Sequence, residues 1–251
     1  MKINAHIFLI AFFSFLTASP FQQMQSDPVH VYFQEQDRNI AASALQTVRD
    51  QQNRLYRQYG LELRTVHVFI APDAAAYSAL AGSASPLWSG GLASGDRMLI
   101  KSPAFSRQTL PAFHKTLRHE TVHLALSGHE LPVWFEEGLA QYESGTFGIA
   151  QKVLLGRAAW QQSFIPFSEI EHLTRMGARE AELAYAQSVA AVDHMIRYFG
   201  VELLGKSLDL SKNYEHFPTG FRNAFLMTPV EFERHWQEQA KKRYRIYVLL
   251  D

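Results

Sequence analysis

Arg118-His119-Glu120-Thr121-Val122-His123-Leu124 is the stretch on which the reading of this chain turns. Two histidines stand four residues apart, with a carboxylate directly after the first. On an α-helix, positions four apart fall on one face, so the imidazoles of His119 and His123 can converge on one metal ion. Glu120, beside them, is placed to reach a water at that ion. Two neutral imidazoles and an adjacent base suit hydrolysis at zinc. The chain holds 11 histidines and 16 glutamates in 251 residues. A random chain of that composition would contain the pattern about 0.03 times. The motif is therefore informative, and its weight depends on what surrounds it.

The chemistry requires a helix with its own core face. Residues 106–127 supply one: Leu110, Phe113, Leu117 and Leu124 form an apolar stripe. Pro111 falls in the first turn, where it is tolerated, and Gly128 is a natural stop. A catalytic zinc takes three protein ligands and keeps one position for water. The chain has no cysteine, so a thiolate ligand, a cysteine nucleophile and a disulfide scaffold are all excluded. The stretch Leu131-Pro132-Val133-Trp134-Phe135-Glu136-Glu137-Gly138-Leu139-Ala140-Gln141-Tyr142 follows by a short turn. It offers two carboxylates, Glu136 and Glu137, about 100° apart on a helix, so only one of them can be the third ligand.

Before the motif the pattern mixes strands and helices. Residues 29–33 and 63–70 read as strands, the second alternating Val66, Val68 and Ile70 with Thr65, His67 and Phe69. Residues 40–59 read as a helix closed by Gly60. A loop rich in glycine and serine over 82–95 leads into an expected edge strand through Met98, Leu99 and Ile100. In a peptidase, such an edge can accept an extended substrate. After the motif the chain reads as a series of helices. The last opens with Thr228-Pro229-Val230-Glu231, a capping box with proline at the first helical position.

The expected class is thus α+β. An N-terminal mixed α/β sheet subdomain, residues 29–127, ends in the motif helix. A mostly helical subdomain, residues 128–251, carries the third ligand. Lys2, the apolar run Ile7 to Leu16 and the small residues Thr17-Ala18-Ser19 are laid out as a secretory signal peptide, cleaved after Ala18. Residues 19–28 read as a flexible lead-in. The expectation is an exported, periplasmic or secreted bacterial protein without a stable membrane span after cleavage. It is membrane-tethered if the segment is retained. Net charge is zero, which argues against nucleic acid or an anionic membrane held by bulk charge.

The segment Trp134-Phe135-x-Glu137-Gly138-Leu139-Ala140-x-Tyr142, after the first motif, resembles the peptidase MA-like domains of the gluzincin clan. Aminopeptidase N-like enzymes and thermolysin are more distant members. The resemblance covers roughly residues 60 to 240. It implies one Zn2+ ion held by His119, His123 and Glu137, with Glu120 as general base. Leu183-Ala184-Tyr185-Ala186-Gln187-Ser188 is similar to the family segment whose tyrosine stabilises the oxyanion, which makes Tyr185 the candidate. It also implies a peptide or protein substrate. Three departures stand out. Only thirteen residues separate His123 from Glu137. Gln141 stands where thermolysin-like enzymes carry an aspartate bonded to the first histidine. The Gly90 to Gly95 stretch lacks the glutamate that anchors a substrate amino group in aminopeptidases, which favours an endopeptidase. Glu136 is read as a solvated helix charge. The competing reading is a non-catalytic zinc-binding or assembly domain of the cell envelope, against which the intact Glu120 argues.

Overall fold

The computed structural model describes residues 21–82, 90–213 and 216–250. The expected export segment, residues 1–18, lies outside them. The fold is α+β: a five-stranded mixed sheet comes first and a mostly helical part follows. The chain divides into two compact units. One holds residues up to 51 and 64–120; the other holds 52–63 and 121–251. The division therefore cuts two helices internally, where sequence patterning placed a single boundary after residue 127. A continuous helix carries no composition change at such a point.

In the first unit, β1 (Gln22–Ser26) pairs antiparallel with β2 (Val29–Phe33). Beyond β2 lie β3 (Val66–Ala71), β5 (Arg97–Lys101) and β4 (Gly91–Ser94), in that order. The β2–β3 and β3–β5 pairs are parallel, and β4–β5 is antiparallel. Two expectations change here. The lead-in is partly a strand: β1 alternates half-buried and exposed residues, and its pairing comes from backbone groups that its polar side chains do not advertise. The strand through Met98 to Ile100 is interior, not an edge, and its side chains are buried. The edge is β4. Among the described residues, this unit also holds the first part of α1 (Arg38–Tyr59), α2 (Ala74–Ala81), α3 (Pro103–Ser106) and the first part of α4 (Leu110–Leu126). Asp73 caps α2 by accepting from the Ala76 amide.

The motif helix was expected as one piece from residue 106. Instead, α3 ends at Arg107 in the left-handed conformation (φ 56°), and α4 starts afresh. The Thr109 hydroxyl accepts from the Ala112 amide at its start. Phe113, Leu117, Val122 and Leu124 are buried along α4, and Gly128 follows with φ +92°.

The second unit has a core of aromatic and aliphatic side chains contributed by α5 (Val133–Ser144), α6 (Ile149–Gln161), α7 (Phe167–Ile170), α8 (Ala178–Phe199), α9 (Val201–Asn213), α10 (Phe217–Phe225) and α11 (Pro229–Tyr244). The anticipated capping box of α11 is present, with Thr228 and Glu231 exchanging bonds. Trp134 on α5 stacks on Phe167 at 4.3 Å between ring centres. Glu143, at the far end of α5, has a fully buried side chain. It accepts from Tyr59 Oη and from Arg54 Nε, both at 2.6 Å, and so ties the end of α1 to α5. Burial and this carboxylate push the Tyr59 phenol far above its ordinary pKa. No helix among the described residues is long and apolar enough to cross a membrane.

Gly138 sets the position of α5. A Cβ there would lie 2.4 Å from the Ser188 carbonyl oxygen and 2.8 Å from Val192 Cγ2. The small residue thus serves contact with α8. Because the obstacle is backbone, Gly138→Ala is expected to destabilise the chain by about 1–3 kcal/mol. Denaturant unfolding checks this, and an unchanged midpoint would contradict the contact.

Candidate metal centre

His119, Glu120 and His123 occupy one unbroken stretch of α4, and Glu136 and Glu137 occupy the first turn and a half of α5. His119, His123 and Glu137 each offer a ligand atom, and the three atoms lie within 4.8 Å of one another. His123 Nε2 is 3.7 Å from Glu137 Oε1. Two atoms bonded tetrahedrally to zinc at 2.0–2.1 Å sit roughly 3.3 Å apart. Closing this pair on an ion therefore requires a shift of only a few tenths of an ångström. Two imidazoles and one carboxylate also form a donor set that zinc favours.

The electrostatics fit a cation. Burial pushes the Glu137 carboxyl above its ordinary pKa, the neighbouring Glu136 adds to this, and His123 opposes it. A buried carboxylate gains most from a positive charge set against it.

Glu136 is the residue that sequence reasoning misassigned. It is not a solvated helix charge: its Oε1 accepts from His123 Nδ1 at 2.8 Å. This fixes the tautomer, putting the proton on Nδ1 and leaving the Nε2 lone pair for the metal. The signal was available, since adjacent carboxylates on a helix splay about 100° apart. One can ligate while the other reaches the flank of the same histidine. Gln141, considered as a partner for the first histidine, is buried instead. Its backbone carbonyl accepts from the Ser144 and Thr146 hydroxyls and from the Gly145 amide. Loss of a carboxylate behind a ligating histidine typically costs 10- to 100-fold in metal affinity. Glu136→Ala is expected to lose about that much, and Glu136→Gln, which keeps an acceptor, less. Zinc competition against a chromophoric chelator measures both; equal affinities for wild type and Glu136→Ala would remove the orienting role.

Glu120 borders β4. A Cβ on Gly91 would sit 2.9 Å from Glu120 Cγ, 3.0 Å from Oε1 and 2.6 Å from Ile100 Cδ1. Glycine is needed because this carboxylate side chain passes against the edge strand. Tyr185 is half-buried on α8 and packs against the core of the second unit. It lies one turn before Ser188, where α8 meets Gly138 next to Glu137.

No curated protein matches the chain. A family model described as the Peptidase MA superfamily matches residues 47–241, a span that takes in both motif helices and all five candidate site residues. Matched over residues 47–241, the chain belongs to the peptidase MA superfamily.

Proposed function

We propose that the protein is an exported zinc-dependent endopeptidase. The observation that carries this reading is the convergence of His119, His123 and Glu137 within 4.8 Å, with Glu120 on the same helix. When bound, zinc would supply Lewis acidity toward water and a peptide carbonyl. The chain's own residues do the rest. Glu120 takes the proton from the attacking water as the new C–O bond forms and the carbonyl π pair moves onto its oxygen; it then delivers that proton to the amine nitrogen, and the C–N bond breaks as the carbonyl re-forms. Tyr185 donates its phenolic hydrogen to the developing oxyanion. Glu136 keeps His123 oriented. β4, the last strand in the sheet order, accepts the substrate as an added extended strand, and the glycine at 91 lets Glu120 stand close to it. The partner is a peptide or protein and not nucleic acid. Residues 1–18 direct export, which N-terminal sequencing of the mature protein checks.

The test is elemental analysis combined with a library of end-blocked fluorogenic peptides. One zinc per chain is expected, with cleavage at internal bonds that a chelator stops and added zinc restores. Stoichiometric zinc without cleavage of any peptide would replace this reading with that of a zinc-binding envelope domain.

A further inference from the structure

The second unit carries a groove of about 680 Å³ that none of the metal-ligand residues lines. Its size is that of a site for a compact ligand or a few peptide residues. Trp134, Phe167 and Phe217 form its apolar base, each almost wholly buried in the core behind it. Its carboxylates are Glu130, Glu171 and Glu233; His216 also borders it, and no lysine or arginine does.

Two of these carboxylates are built in. Glu171 Oε1 accepts from the Val133 amide at 3.0 Å, at the start of α5. Glu233 Oε1 accepts from the Phe167 amide at 2.9 Å, at the start of α7, and from Gln237 Nε2 at 3.2 Å. Among the described residues, neither side chain uses its other oxygen in a hydrogen bond or pairs with a cation. Desolvation pushes both carboxyls upward in pKa, a cost that a cation in the groove would offset. Glu130 is exposed and, among the described residues, enters no ion pair. At the rim, Val230 is 65% exposed, and Pro218 and Pro229 flank it. A bare cation would leave that apolar rim unused. A lysine or arginine in a peptide uses both features, with its methylene stem on the apolar surface and its charge at the carboxylates.

We infer that this groove docks a basic segment of a partner protein, its lysine or arginine side chains set against Glu130, Glu171 and Glu233 and its apolar residues against the Val230 rim. The site is separate from the metal centre and does not depend on it.

The probe is a labelled, end-blocked peptide alternating valine and lysine, followed by fluorescence anisotropy on the full chain at low ionic strength. The control replaces lysine with glutamate. Saturable binding of the basic peptide alone is expected, weakening with salt. It should be unchanged between zinc-loaded and chelator-stripped protein. Glu130→Lys, at an exposed position, is expected to weaken it about tenfold through like-charge repulsion. Glu171→Gln keeps an acceptor for the Val133 amide, so it should weaken binding several-fold with an unchanged unfolding midpoint. Equal binding of the two peptides, or indifference to Glu130→Lys, overturns the inference. So does binding lost on zinc removal, which would place the peptide at the metal. Full competition by free lysine amide would reduce the site to a small-cation pocket, and self-association abolished by Glu130→Lys would assign the groove to a second copy of the chain.

Discussion

Replacing Glu120 by glutamine is expected to leave one zinc ion per chain and to lower peptide cleavage by about 10²- to 10⁴-fold. The two effects separate because Glu120 is absent from the converging ligand set. Glutamine has nearly the volume of glutamate, so the close packing against Gly91 and Ile100 survives the change. What disappears is a group able to accept a proton at neutral pH. A loss of that size corresponds to roughly 3–5 kcal/mol of transition-state stabilisation. Steady-state cleavage of a fluorogenic peptide, with metal content measured on the same sample, decides the matter. A zinc-loaded variant at the wild-type rate would remove Glu120 from the reaction. Tyr185→Phe in the same assay lowers kcat with little change in KM if the phenol meets the oxyanion. It leaves both unchanged if Tyr185 only packs against the core.

The candidate metal site is more legible in the sequence than the sheet, for physical reasons. His119, Glu120 and His123 are local: helix geometry converts their spacing directly into a shared face. Glu137 needed a second helix, and the Gly138 packing that seats this helix against the Ser188 backbone is invisible without coordinates. Glu136 reads as a solvated charge because its partner is thirteen positions away, and only the splay of about 100° from Glu137 hints that it can reach the flank of the histidine that Glu137 faces. Strand placement failed for a related reason. β1 is polar at every position but Met24, and its membership in the sheet rests on backbone pairing to β2. The true edge, β4, is four residues of glycine, leucine, alanine and serine, too short and too plain for periodicity to identify.

Removing the metal is expected to lower the unfolding temperature by about 8–16 °C relative to protein held at free zinc a thousandfold above its Kd. Binding to the folded chain alone contributes about 4 kcal/mol at that excess. For a chain of this length, each kcal/mol moves the midpoint by about 2–4 °C. The pH dependence carries the sharper test, because Glu137 changes the sign of its contribution when zinc binds. In the metal-free chain its folded pKa is raised, so the folded form keeps a proton that the unfolded form has released. Its stabilising contribution is complete below the ordinary carboxyl pKa and is lost as pH rises through the raised value. With zinc bound the carboxylate must be ionised, and protons compete with the metal for Glu137 and both imidazoles. Zinc-dependent stability therefore grows with pH over the same window. Glu137→Gln cannot ionise, so the difference between wild type and this variant isolates the residue from other titrating groups. In chelator, wild type should lose stability relative to Glu137→Gln as pH rises. In zinc it should gain, and the variant should bind the metal poorly. Parallel wild-type and Glu137→Gln profiles, with and without zinc, would show that Glu137 is not the third ligand.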